Sequence, residues 1–167
     1  EYENMSIRSD KVRIIKTHEL RDDVQLAADF IITARRDLRD TVASAVRRDF
    51  KMLKQLGSLA NYAKYNRALH DLWSQKTNFE VIYDDFKKNE HATVGALCES
   101  LGFADTSIEA LLSLINNIPK DQYADTLLTD SHITDPSNKL TYCDTLSKED
   151  IMLIEQQNFH WLAQYEY

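Results

Sequence analysis

Apolar positions along the chain follow two periods. Two short runs rich in β-branched residues, Val12 to Ile15 (VRII) and Phe30 to Thr33 (FIIT), are each closed by polar residues. That pattern suits buried parallel strands, whose carboxyl ends are where α/β folds hold ligands. A third run, Phe79 to Tyr83 (FEVIY), reads as another strand and leads into Asp84-Asp85-Phe86. Elsewhere the period lengthens to that of a helix. Leu38, Val42, Ala45, Val46, Leu53 and Leu56 recur on one stripe, with Asp37 as N-cap, Asp40 as an imperfect capping-box partner and Gly57 as the end or bend. Ser44 falls off that stripe.

Ser58 to Trp73 predicts a second helix, with Tyr62, Tyr65, Leu69, Leu72 and Trp73 on a broad aromatic face. Ala92 to Leu101 follows, closed by Gly102 as C-cap, then Ser107 to Asn116. Thr129 to Leu146 is polar and contains proline, the pattern of a mobile loop. Ser147 and Asp150 open a last amphipathic helix with Ile151, Ile154, Leu162 and Tyr165. Strands alternating with helices predict an α/β fold, a parallel sheet flanked by helices.

Composition narrows the classes. A length of 167 residues suits one domain, 1–167, with 43% hydrophobic and 28% charged residues as in ordinary soluble proteins. No run approaches the ~20 apolar residues of a membrane span, and no signal-peptide pattern is seen. Cys98 and Cys143 stand without a CxxC, which argues against a disulfide framework or zinc site and predicts a reducing, cytoplasmic setting. The formal charge of −7 argues against a general nucleic-acid binder. Basic residues nevertheless crowd between Arg35 and Lys54, where Asp37, Asp40 and Asp49 interleave as on a solvated helix face. Arg36 is set apart by its place at a strand–helix junction.

The candidate chemistry lies at two strand ends. The first run ends in Lys16-Thr17-His18; Lys16 and His18 are two apart and so share a face of a strand. The second ends in Arg35-Arg36, and Ser44 follows Arg36 by eight positions. Ser44 alone reads as an exposed helix serine; paired with Arg36 it gains a role. These residues resemble two motifs of the sulfotransferases that use 3′-phosphoadenosine 5′-phosphosulfate (PAPS): the Lys-Thr-His of the catalytic strand, and the Arg and Ser that hold the 3′-phosphate. Tyr83-Asp84-Asp85 is similar to that family's Tyr-Glu-Asp, with Asp84 departing from the usual Glu.

The resemblance implies a P-loop nucleotide-transferase-like fold and transfer of a sulfuryl group from PAPS to an acceptor hydroxyl or amine. His18 would be the general base and Lys16 a charge-stabilising neighbour, as suits a side chain titrating near neutrality. Arg36 and Ser44 would bind the 3′-phosphate and Tyr83 would lie near the adenine, although a strand-end tyrosine in the core remains the equal alternative. Trp73 fits the same region, and Lys139 is the one candidate for a basic residue closing over the 3′-phosphate. The acceptor would be a small molecule or carbohydrate, with no metal required. Gly57, Gly95 and Gly102 form no cluster like the family's 5′-phosphosulfate loop, so the chain is expected to be the C-terminal two-thirds of the fold, its N-terminal part missing. The competing reading is a non-catalytic nucleotide-binding or interaction module derived from that fold. A P-loop kinase is a third, without a Walker A motif to support it.

Overall fold

The computed structural model describes residue 17 and residues 22–103, 107–117 and 140–167. The strand expected at Val12 to Ile15, with Lys16 and His18, lies outside them, as does Lys139. The elements in order are α1 (Asp22–Ala27), β1 (Ile32–Arg35), α2 (Leu38–Arg47), α3 (Lys51–Leu56), α4 (Leu59–Ser74), β2 (Phe79–Ile82), α5 (Tyr83–Lys88), α6 (Glu90–Ser100), α7 (Ile108–Asn116), a 3₁₀ turn (Tyr142–Asp144) and α8 (Lys148–Gln164). The described residues are mixed α/β, mostly helical, around a two-stranded parallel sheet. Its rungs are Ile32–Phe79, Thr33–Glu80, Ala34–Val81 and Arg35–Ile82.

Three expectations from the sequence need correction. β1 runs to Arg35, two residues beyond the apolar run, so Arg35 sits in the sheet and Arg36 just outside it. Tyr83, expected as a strand end, is instead the first residue of α5. The single helix expected up to Gly57 is also two. Asp49 takes a left-handed φ of 46°, and the Phe50 and Asp49 amides donate to the Ala45 and Val46 carbonyls, ending α2 in a Schellman turn. Nothing in the apolar spacing marks that break, because Leu53 and Leu56 stay on the core side after it.

Capping is where local chemistry was most legible. Asp37 Oδ1 accepts the Arg39 amide at 2.8 Å, Ser58 Oγ the Asn61 amide and Ser147 Oγ the Asp150 amide, each closing a helix start. Gly102, with φ 80°, ends α6 as forecast. The same backbone turn ends α8 without glycine: Glu166 has φ 59°, and the Tyr167 amide donates to the Leu162 carbonyl at 3.0 Å. The chain thereby folds back and brings Tyr167 against Leu38, Trp161 and Leu162.

The main core gathers Val42, Ala43 and Ala45 of α2, Tyr62 and Ala63 of α4, Leu146 and Ile154. α4 packs along α8, α2 rests on both, and α5 and α6 lie against β2. The last residues of the stretch expected as a loop are anchored in this layer. Leu146 is buried, and the Tyr142 amide donates to Asp40 Oδ1 at 2.9 Å. Asp40 therefore serves the 3₁₀ turn and not the capping box. The sheet places both strand ends, and the start of α2, on one side of the molecule.

Candidate functional site

Each strand runs almost directly into a helix, so the residues after the last rung meet. The Arg36 guanidinium lies over the Tyr83 ring, 4.4 Å from its centroid. Its Nη2 is 4.0 Å from Asp40 Oδ2, in the first turn of α2. Its Nε is buried and has no hydrogen-bond partner among the described residues. A buried guanidinium N–H left unmade is costly, and such a group calls for an acceptor. Burial pushes the Asp40 carboxyl above the usual range, with repulsion from Asp37 and Asp84 adding to it, while Arg36 and the Tyr142 amide pull it back. The cation thus sits in a partly acidic setting.

Asp40 and Ser44 are spaced by four and share one row of α2, while Arg36 precedes the Asp37 cap and lies just outside the helix. Ser44 is half-buried, six residues or roughly 9 Å of helix rise beyond Leu38 and one turn past Asp40. Of the residues singled out from the sequence, the fold therefore joins Arg36 and Tyr83 directly, while Ser44 sits well inside α2. Trp73 is half-buried near the end of α4 and makes no ring contact with Tyr83 among the described residues. Lys16, His18 and Lys139 fall outside the described residues.

On the opposite face of the same strand end lies a cluster that the pattern of motifs missed. Arg35 is 9% exposed. Its Nε donates to Glu80 Oε2 at 3.0 Å and its Nη1 to the Tyr167 hydroxyl at 3.4 Å, and its guanidinium covers the Tyr165 ring at 4.1 Å. Glu80 Oε1 takes a 2.7 Å hydrogen bond from His70 Nε2. His70 Nδ1 is buried, has no hydrogen-bond partner among the described residues, and lies 3.6 Å from Asp71 Oδ1. Asp71 Oδ1 accepts the Trp161 indole N–H at 3.1 Å. His70 meets Trp161 and Tyr165 edge-on, each at 5.4 Å.

Burial alone would raise the Glu80 carboxyl, but the His70 and Arg35 hydrogen bonds outweigh it and hold it below the usual range. Burial raises the Tyr167 hydroxyl to about 12, against a smaller pull from Arg35. One signal of this cluster was present in the sequence: a glutamate inside the apolar run FEVIY must find a cation or a donor when that run is buried.

A cleft of about 580 Å³ opens beside this cluster, with Arg35, Ile82, Asp84, Lys87, Tyr165 and Tyr167 on its walls. Its cations Arg35, Lys87 and Lys88 are matched by Asp84, Asp85 and Glu166, so it offers an anion no net attraction. Neither Arg36 nor Ser44 lines it. The unsatisfied Nε of Arg36 makes the Arg36–Tyr83 corner the better candidate.

Among the described residues no group of His, Cys, Asp and Glu is arranged to hold a metal ion. Nor is any helix among them long and apolar enough to cross a membrane. No family model, curated protein or solved structure matches the chain.

Proposed function

We propose that the chain is a sulfotransferase-like domain of P-loop-related fold that binds a 3′-phosphorylated adenine nucleotide at the Arg36–Tyr83 corner and serves transfer from PAPS to an acceptor hydroxyl or amine. One observation carries the reading. Two residues picked out by separate motifs, an arginine for a phosphate and a tyrosine for a base, are 47 positions apart in the chain yet in contact at 4.4 Å. They meet at the carboxyl ends of parallel strands, where such folds take nucleotides. The Arg36 side chain, 23% exposed and with its Nε lacking an acceptor among the described residues, fits the group, since a guanidinium fork suits phosphate oxygens.

PAPS would supply the activated sulfuryl group. The chain's own residues would do the rest. Arg36, aided by Ser44, would fix the 3′-phosphate and so reject nucleotides that lack it. His18 would take the proton from the acceptor hydroxyl or amine as its oxygen or nitrogen bonds to sulfur, and Lys16 would offset the charge left on the departing phosphate oxygen.

Calorimetry with adenosine 3′,5′-bisphosphate (PAP) and ADP tests the binding half. PAP is expected to bind more tightly than ADP, and Arg36→Ala to lose roughly 1.5–3 kcal/mol, a ten- to hundredfold loss, as for other hydrogen bonds to charged groups. His18→Ala is expected to keep PAP affinity and abolish sulfate transfer in an assay with labelled PAPS and an acceptor panel of sugars and phenols. Tighter binding of ADP, or turnover undiminished by His18→Ala, would overturn the assignment. PAP binding with no transfer to any acceptor would favour a binding module.

A further inference from the structure

We propose that Glu80 is the positioning residue of the Arg36–Tyr83 site, acting from the opposite face of the sheet. The proposal rests on the nucleotide reading above for its functional meaning, but its physical content does not depend on it.

The sheet is short, and its last rung is Arg35–Ile82. A ladder of four residues on each strand has little to hold its final rung against fraying. In a parallel pair, side chains of one rung share a face, and alternate residues of a strand return to it. Arg35, Ile82 and Glu80 therefore share the inner face, and Arg35 reaches Glu80 on the diagonal. Residues one step further, Arg36 and Tyr83, belong to the other side. Whatever holds Arg35 in line with β2 also decides where Arg36 emerges beside Tyr83.

Glu80 does this with both oxygens. Oε2 takes Arg35 Nε of β1, and Oε1 takes His70 Nε2 of α4. The carboxylate thus ties the end of β1, the middle of β2 and α4 into one unit. Tyr165 and Tyr167 close over the Arg35 guanidinium from the end of α8. A carboxylate is needed because two donors converge on it; a carboxamide has one acceptor oxygen and would turn an N–H toward one of them. With Glu80 neutralised, Arg35 loses its fixed orientation, the last rung loosens, and Arg36 leaves the Tyr83 ring.

The test is a double-mutant cycle on the whole chain, read by PAP calorimetry and by the NMR shifts of the Tyr83 ring. Glu80→Gln is expected to weaken PAP roughly tenfold in the wild-type background and less than twofold in Arg36→Ala, because its effect passes through Arg36. The Tyr83 ring shifts in Glu80→Gln should move toward those of Arg36→Ala, with the circular dichroism of the folded chain retained. Equal losses in both backgrounds, or Tyr83 shifts that stay at wild type, would overturn the proposal. If wild-type protein does not bind PAP, the nucleotide reading fails, and the Tyr83 shifts alone decide whether Glu80 positions Arg36. Should Glu80→Gln fail to fold, His70→Gln removes one of the two tethers and is expected to shift Tyr83 in the same direction by less.

Discussion

Arg35 and Arg36 are neighbours in sequence with opposite fates. Arg35 points into the protein, where a carboxylate, a hydroxyl and an aromatic ring answer its charge. Arg36 points the other way, holds one ring and a distant carboxylate, and leaves its buried Nε unanswered. Arg35 is the last residue of β1 and Arg36 the first beyond it. A buried cation whose donors are met is part of the framework, and one whose donors are partly met is open to a ligand. The pair shows why charge clusters read from sequence need to be divided by face before they are given a role.

The sharpest way to break this contrast is to remove each arginine in turn. Arg35→Ala strands Glu80 with only His70 and uncovers Tyr165, so it is expected to cost about 3 kcal/mol of folding stability, as for loss of one partner of a buried pair. Arg36→Ala removes a partly buried side chain with one ring contact and a long ion pair, and should stay within about 1 kcal/mol. Denaturant titration of both variants measures the difference. Equal losses would mean that Arg36 is as much framework as Arg35, and the case for a ligand there would go with it.

A subtler probe is pH. The Glu80 carboxyl is held below its unfolded value, so the stability it contributes is fully present above the unfolded carboxylate range and is lost as pH falls through the lower, folded value. Wild-type protein should therefore lose stability across that acidic window, and Glu80→Gln should lose less across the same window. Urea midpoints taken between about pH 6 and pH 3 would show it. Curves for the two proteins that fall in parallel would mean that the Arg35–Glu80–His70 link contributes nothing linked to protons.

How much of this was legible beforehand follows from what each signal depends on. Caps and turns depend on neighbouring residues, so Asp37, Ser58, Gly102 and Ser147 could be read one by one. Strand pairing depends on distant chain, yet FIIT and FEVIY were recognisable because β-branched runs are short and bounded. The boundary at Arg35 was not, since a buried arginine can only be recognised once its partner Glu80 is known to lie one diagonal away. The break at Asp49 escaped for a related reason: the hydrophobic stripe continues through it, and a left-handed aspartate carries no mark that glycine would. The Tyr165–Tyr167 lid was hidden because its placement comes from a turn at Glu166 that any residue list would leave in the helix.

The smallest expected effect sharpens the contrast most. Asp40 lies 4.0 Å from Arg36 and one helical turn before Ser44, and its charge opposes any anion that would bind both. Its Oδ1 is already committed to the Tyr142 amide at 2.9 Å, an interaction that asparagine retains through its own carbonyl oxygen. Asp40→Asn should thus keep the 3₁₀ turn while removing the repulsion, and PAP should bind roughly two- to threefold more tightly, the scale of a single screened charge. At Arg35 there is no counterpart to this experiment, because neutralising Glu80 takes away its partner and gains it nothing. A carboxylate that can be removed with profit to an anion marks the open side of the strand end; one that cannot marks the framework side. Weaker PAP binding in Asp40→Asn would show instead that the carboxylate orients Arg36, and the two arginines would then differ in degree and not in kind.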